Sequence, residues 1–235
     1  MADHVAGPVG DEVTAARDFS PAARLTYRVL RAALSLALRI WFRVEVVGGS
    51  RIPATGPYIL APGAHRSILD TPLVAITGPR VLRYMGAENF FRIPGVGWFL
   101  SAMGGFPVER HATDRVALRR AEEVLADGDP LVVFPEGTRF SGPEVRPLKQ
   151  GAAFLAGRSR APIIPVGIGG AERALPRGRY LPRPAKIVLV IGEAMDPPGE
   201  PGRRVRRREI MAVSDQLRDR LQSLFDEAQA RAGVG

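Results

Sequence analysis

Cysteine is absent from the 235-residue chain. That excludes disulfides, thiol nucleophiles and thiolate metal sites, and it fits a reducing compartment. Histidine is scarce: His4, His65 and His111 are too few to suggest a zinc centre, so no metal site is expected. No apolar run reaches the ~18 residues that a membrane-crossing helix needs. The first residues carry acids and lack an apolar stretch followed by a cleavage site, so no secretory signal is expected. Acidic charge is also in deficit, with 24 Asp+Glu against 33 Lys+Arg and a net charge of +9. Such a surface attracts nucleic acid, anionic lipid or phosphorylated substrates, although the arginine bias of high-GC coding gives the same balance.

What is present reads as one medium-sized globular domain. Residues 1–20 are small, polar and Gly/Pro-bearing, and are expected to form a disordered arm. Residues 21–43 read as an amphipathic helix opened by Ser20-Pro21. On it Arg24, Arg28, Arg31, Ser35 and Arg39 line up in one stripe, and apolar residues cover most of the remaining circumference. Two roles fit: a helix lying in a membrane interface, or a core helix whose arginines snorkel to solvent. Over 44–196, β-like runs at 44–47, 58–61, 81–85, 106–108, 131–134, 163–168 and 187–191 alternate with helix-like stretches at 70–76, 96–103, 113–126 and 151–159. The expected class is α/β, a mostly parallel central sheet of about seven strands flanked by helices. Residues 197–235 add a Pro/Gly break, the basic run Arg203 to Arg208, and a closing helix packed on the domain.

Two segments carry chemistry. His65-Arg66-Ser67-Ile68-Leu69-Asp70 follows the apolar run Tyr58 to Ala61. Positions five apart lie about 140° apart on a helix, so His65 and Asp70 cannot share a helical face. They meet if His65 lies on a loop and Asp70 in the first turn of the next helix. Asp70 then fixes the imidazole tautomer and leaves the other nitrogen free to take a proton; alternatively it is only a helix-terminal acid. Phe134-Pro135-Glu136-Gly137-Thr138-Arg139 puts a guanidinium on a turn after a strand, where it can grip phosphate. Arg110 follows another strand and Lys149 opens a helix. Open α/β sheets bind ligands beyond the carboxyl ends of their strands, where these cations can gather.

Taken together, these segments resemble the 1-acylglycerol-3-phosphate acyltransferase family of the glycerolipid acyltransferase superfamily. Asn-His-x-x-x-x-Asp matches His65 and Asp70, with Ser67 at a usual spot. A Gly, an apolar strand and an Arg match Gly104 through Arg110. Phe-Pro-Glu-Gly-Thr-Arg matches residues 134–139, and a Lys-x-Gly helix start with an apolar-Pro-apolar strand matches Lys149, Gly151 and Ile164-Pro165-Val166. The resemblance implies transfer of a fatty acyl group from acyl-CoA or acyl-carrier protein to a lysophospholipid hydroxyl, without a cofactor. It implies His65 as general base, Asp70 as its orienting partner, Arg110, Arg139 and Lys149 on the acceptor phosphate, and Glu136, Gly137 and Thr138 around the acceptor. It also implies an anionic membrane surface as partner, peripheral placement on the cytoplasmic face of the cell membrane, and no nucleic acid. Three positions depart from the pattern: the Asn before the His is Ala64, the Ser after Arg139 is replaced by Phe140, and a lysine that often serves the phosphate is Ala87. That leaves phosphate binding to Arg83, Arg110, Arg139 or Lys149, or points to a different acceptor. A non-catalytic basic module for membrane or nucleic acid is the remaining alternative.

Overall fold

The computed structural model describes residues 21–78, 80–108, 114–176 and 178–234. Arg110, His111 and the expected arm at 1–20 lie outside the described residues. Seven strands form one sheet: β1 (Glu45–Val47), β2 (Ile59–Pro62), β3 (Arg83–Ala87), β4 (Gly105–Val108), β5 (Leu131–Val132), β6 (Ile163–Gly169) and β7 (Val188–Ile191). Their order is β1-β7-β6-β2-β5-β3-β4. Pairing is parallel throughout except between β6 and β7, so β7 and β1 run against the other five. The mostly parallel sheet implied by the strand–helix alternation is present. The strand expected over 131–134 stops at Val132, because Pro135 and a tight turn take the chain out of the ladder.

Helices cover both faces. On one lie α1 (Pro21–Phe42), α2 (Asp70–Ala75) and α7 (Ala171–Ala174), sharing a core built on Tyr27, Leu38, Phe42, Leu73 and Val74. On the other lie α5 (Asp114–Ala126), α6 (Gly151–Ser159) and α8 (Arg207–Ala232), around Leu125, Leu155, Leu217, Leu221 and Phe225. The short helices α3 (Glu88–Phe91) and α4 (Val96–Ala102) bridge β3 to β4, and α4 packs beside α1.

Helix α8 approaches β6 unusually closely. A Cβ at Gly167 would lie 2.3 Å from the Leu224 backbone, and one at Gly169 only 2.2 Å from that of Ala228. The glycines of Gly167-Ile168-Gly169-Gly170 therefore serve helix-to-strand contact. The burial of Leu217, Leu221 and Phe225 stabilises this contact by about 1.5–3 kcal/mol each. The preceding basic run is anchored elsewhere: Val205 packs against Gly157 near the start of β6. That edge is opposite the one carrying His65, so the run is remote from His65.

Helix α1 presents three faces. Tyr27, Leu38 and Phe42 are buried, and the arginines flank them. A third face of Leu25, Val29, Leu36 and Ile40 is exposed at spacings of four, seven and four. Ile187 N donates to Phe42 O, which brings the end of α1 to the edge of the sheet where the parallel strands terminate.

Candidate active site

The site begins where β2 ends. Gly63 N donates to Val166 O, and the chain then turns through Ala64, whose φ is 53°. A left-handed alanine costs on the order of 1–2 kcal/mol, and the Asn of the resembling pattern tolerates that conformation better. The turn sets His65 on the loop and leaves Asp70 as the first residue of α2.

One oxygen of Asp70 organises the whole corner. Oδ2 accepts from His65 Nδ1 at 2.8 Å, from Arg66 N at 2.8 Å and from Ser67 N at 2.9 Å. A carboxylate facing Nδ1 favours the proton there, which in the neutral imidazole leaves the lone pair on Nε2. Asp70 is wholly buried, whereas the imidazole keeps 16% exposure. The ring lies against Phe134, with centroids 4.2 Å apart. Asp70 is thus both the acid at the helix start and the partner of the histidine.

Glu136 supports the histidine from below. Its segment turns tightly, with Gly137 N donating to Phe134 O and Gly137 at φ 73°. Glu136 Oε1 accepts from His65 N at 3.0 Å, and Oε2 accepts from Arg146 N at 3.1 Å. Phe140 N donates to His65 O at 3.0 Å. The Glu136 side chain therefore points inward and holds the backbone on either side of the corner. Gly137, Thr138, Arg139 and Lys149 are exposed around the mouth, and the Lys149 side chain crosses over Gly137.

Arg66 is buried, and composition alone does not single it out. Its Nη2 donates to Glu144 O at 2.6 Å, Nη1 lies 4.0 Å from Glu136 Oε2, and the guanidinium sits 5.3 Å above the Phe225 ring. Helix α8 grips the same loop directly. Gln222 Oε1 accepts from Val145 N at 2.7 Å, and Gln222 Nε2 donates to Pro143 O at 3.1 Å. A polar residue on the inner side of an otherwise apolar helix stripe was the one available signal for Gln222.

The remaining cations separate. Arg83 opens β3, roughly 13 Å of strand away from its carboxyl end. Burial holds its guanidinium below the usual range despite nearby Asp129 and Asp127. It lies at the wrong edge to meet a phosphate beside His65. Ala87 closes β3 at the correct edge and offers no charge there. The strand leading to Arg110, β4, lies three strand spacings from β2, about 14 Å.

This arrangement provides an oriented imidazole, a backbone floor held by hydrogen bonds and exposed cations on an adjoining loop. Residues 43–169 match the acyltransferase family model. The chain is 28% identical over 170 residues to the 1-acyl-sn-glycerol-3-phosphate acyltransferase of Bacillus subtilis (strain 168), covering 72% of this chain and 82% of that one. It is 26% identical over 146 residues to a chloroplastic 1-acyl-sn-glycerol-3-phosphate acyltransferase of Brassica napus, covering 61% of this chain but only 42% of that longer protein. The crystal structure of the 1-acyl-sn-glycerophosphate acyltransferase PlsC from Thermotoga maritima superposes with a TM-score of 0.75 at 28% identity, covering 90% of this chain and 83% of the other.

Proposed function

The chain belongs to the acyltransferase family, and we propose that it moves a fatty acyl group from a thioester carrier to the free hydroxyl of 1-acylglycerol-3-phosphate, giving phosphatidic acid. The observation that carries this reading is the triple hydrogen bond to Asp70 Oδ2, which fixes the His65 ring through Nδ1 and leaves Nε2 unengaged by that carboxylate. Nε2 takes the acceptor's hydroxyl proton as that oxygen attacks the thioester carbonyl. The tetrahedral intermediate collapses, the C–S bond breaks, and the thiolate recovers the proton from the imidazolium. The Ser67 hydroxyl at this corner is bonded to Leu175 O rather than to His65, so donor and acceptor react directly. Arg139 and Lys149, with Arg110, would hold the acceptor phosphate. Both acyl-CoA and acyl-carrier protein fit as carrier.

Among the described residues no helix is long and apolar enough to cross a membrane. The outer stripe of α1, flanked by arginines, instead suits docking on an anionic bilayer. Exposed Trp98 on the neighbouring α4 extends that apolar surface. This would place the protein peripherally, on the cytoplasmic face. A second reading keeps the chemistry and changes the acceptor, because Ala87 removes a cation from the carboxyl edge. Purified protein supplied with acyl-CoA should release free thiol when given lysophosphatidic acid. Across a panel of lysophospholipids, a strong preference for lysophosphatidic acid removes the second reading. Undiminished turnover in His65→Ala removes the mechanism.

A further inference from the structure

Between α7 and β7 the chain makes an excursion whose neck is closed by Arg183 N donating to Ala174 O at 2.8 Å. Inside the neck Arg179 N donates to Pro176 O, and the following residues, Tyr180 and Leu181, form the tip. They are 94% and 82% exposed, more than any other large apolar side chain among the described residues. An isolated exposed apolar residue needs no explanation. This pair differs in its attachment and in its charge surroundings.

The attachment leads to the catalytic corner. Ser67 Oγ donates to Leu175 O at 3.0 Å, and Ser67 N is one of the three donors to Asp70 Oδ2. The loop is therefore tied to the segment that holds His65. Ile68, next to Ser67, is itself 58% exposed. The end of α1, with exposed Ile40 and Trp41, reaches the same edge through the Ile187–Phe42 hydrogen bond. The charge is mainly basic: after Glu172, residues 173–186 contain Arg173, Arg177, Arg179, Arg183 and Lys186 and no acid, with Lys186 paired to Glu45. Arg179 and Arg183 are exposed on either side of the tip.

We infer that Tyr180 and Leu181 form a membrane-inserting tip, seated in the headgroup region of an anionic bilayer and pressing the mouth of the active site against that surface. Tyrosine suits the boundary between acyl chains and water, leucine the apolar side, and the flanking arginines the lipid phosphates. The inference rests on the membrane docking proposed for α1 and adds a contact tied to the catalytic loop. Docking through α1 alone leaves the molecule free to roll about the helix axis. The tip removes that freedom and turns the site toward the lipid.

The test pairs vesicle binding with turnover. Full-length protein is cosedimented with phosphatidylcholine vesicles containing phosphatidylglycerol, comparing wild type, the double variant Tyr180→Ser/Leu181→Ser and the α1 double variant Leu36→Ser/Ile40→Ser. Circular dichroism verifies that each is folded. Turnover is measured on a long-chain acceptor embedded in the vesicles and on a short-chain acceptor dissolved as monomer. The tip variant is expected to partition roughly tenfold more weakly or worse and to lose turnover of the embedded acceptor, while monomer turnover is unchanged. Unchanged partitioning and turnover overturns the tip even where the α1 variant detaches. A rise confined to the acyl-CoA KM also overturns it, reassigning the loop to the donor's phosphates. Wild type that fails to sediment overturns the α1 docking as well.

Discussion

The backbone amide of His65 donates to Glu136 Oε1 at 3.0 Å, joining two residues 71 positions apart in the chain. The same carboxylate accepts from Arg146 N, so it spans the His65 corner and the cationic loop. Glu136→Gln keeps the shape but turns one oxygen into a donor that faces an amide N–H. One buried hydrogen bond is lost and a donor is left unmatched, at a cost of about 1–3 kcal/mol. Urea unfolding should show that loss. Thiol-release assays should show kcat falling more than the acceptor KM rises, because Arg139 remains exposed at the mouth.

Asp70→Asn separates orientation from charge. With its oxygen in the Oδ2 place the amide still faces all three donors, His65 Nδ1 among them, but it lacks the charge that stabilises an imidazolium. In serine-protease triads the equivalent change lowers kcat by about 10⁴-fold through the wrong tautomer. A loss of roughly 10²–10⁴-fold is expected here, with far-UV circular dichroism close to wild type. Activity within a few-fold of wild type would show that Asp70 is only a helix-terminal acid.

Arg139 is exposed on the loop whose Phe140 amide donates to His65 O, and contacts within the fold give it little to stabilise. Arg139→Ala should therefore leave the unfolding midpoint unchanged. The KM for a phosphate-bearing acceptor should rise about tenfold, and the KM for the thioester donor should not. Equal effects on both substrates would move Arg139 to a shared site.

The buried phenols set an alkaline limit. Burial pushes Tyr58 from an ordinary value of 10.0 up to about 12, with the nearby Tyr27 phenol adding to the rise and the Arg80 guanidinium opposing it. Burial also raises Tyr84 and Tyr27. Each folded-state value lies above the unfolded one, so this contribution is complete below about pH 10 and lost as pH climbs through about 12. For Tyr58 alone the difference is worth roughly 3 kcal/mol. Thermal midpoints measured across that window should fall steeply. Tyr58→Phe should blunt the fall and cost little at neutral pH, since the Tyr58 hydroxyl has no hydrogen-bond partner among the described residues.

The fold and the corner were largely legible because their signals are local. Strand and helix periodicities alternate, and the five-residue gap from His65 to Asp70 itself demands a loop-to-helix junction. What stayed hidden depends on contacts distant in sequence. Nothing in Val188–Ile191 says that β7 runs against β6, since an apolar run reads alike in both directions. The resemblance implies Glu136 beside the acceptor, yet the Phe134–Gly137 turn aims its side chain inward onto His65 N. Arg66 is one arginine among many in composition, and only the approach of Phe225 and Glu144 singles it out. The positive φ of Ala64 has no sequence mark at all, because alanine ordinarily avoids it.

Helix α8 lies wholly beyond residues 43–169, the stretch by which the chain is recognised as a family member. Yet Gln222 and Phe225 brace the loop that braces His65, and β6 is shaped by glycines to receive this helix. The boundary of the recognisable sequence and the boundary of the working enzyme therefore do not coincide. A fragment trimmed to the recognised stretch would expose one apolar face of its sheet and leave His65 on a loop without this support. Grafting or swapping catalytic segments between relatives must carry the carboxyl-terminal helix along as part of the cassette.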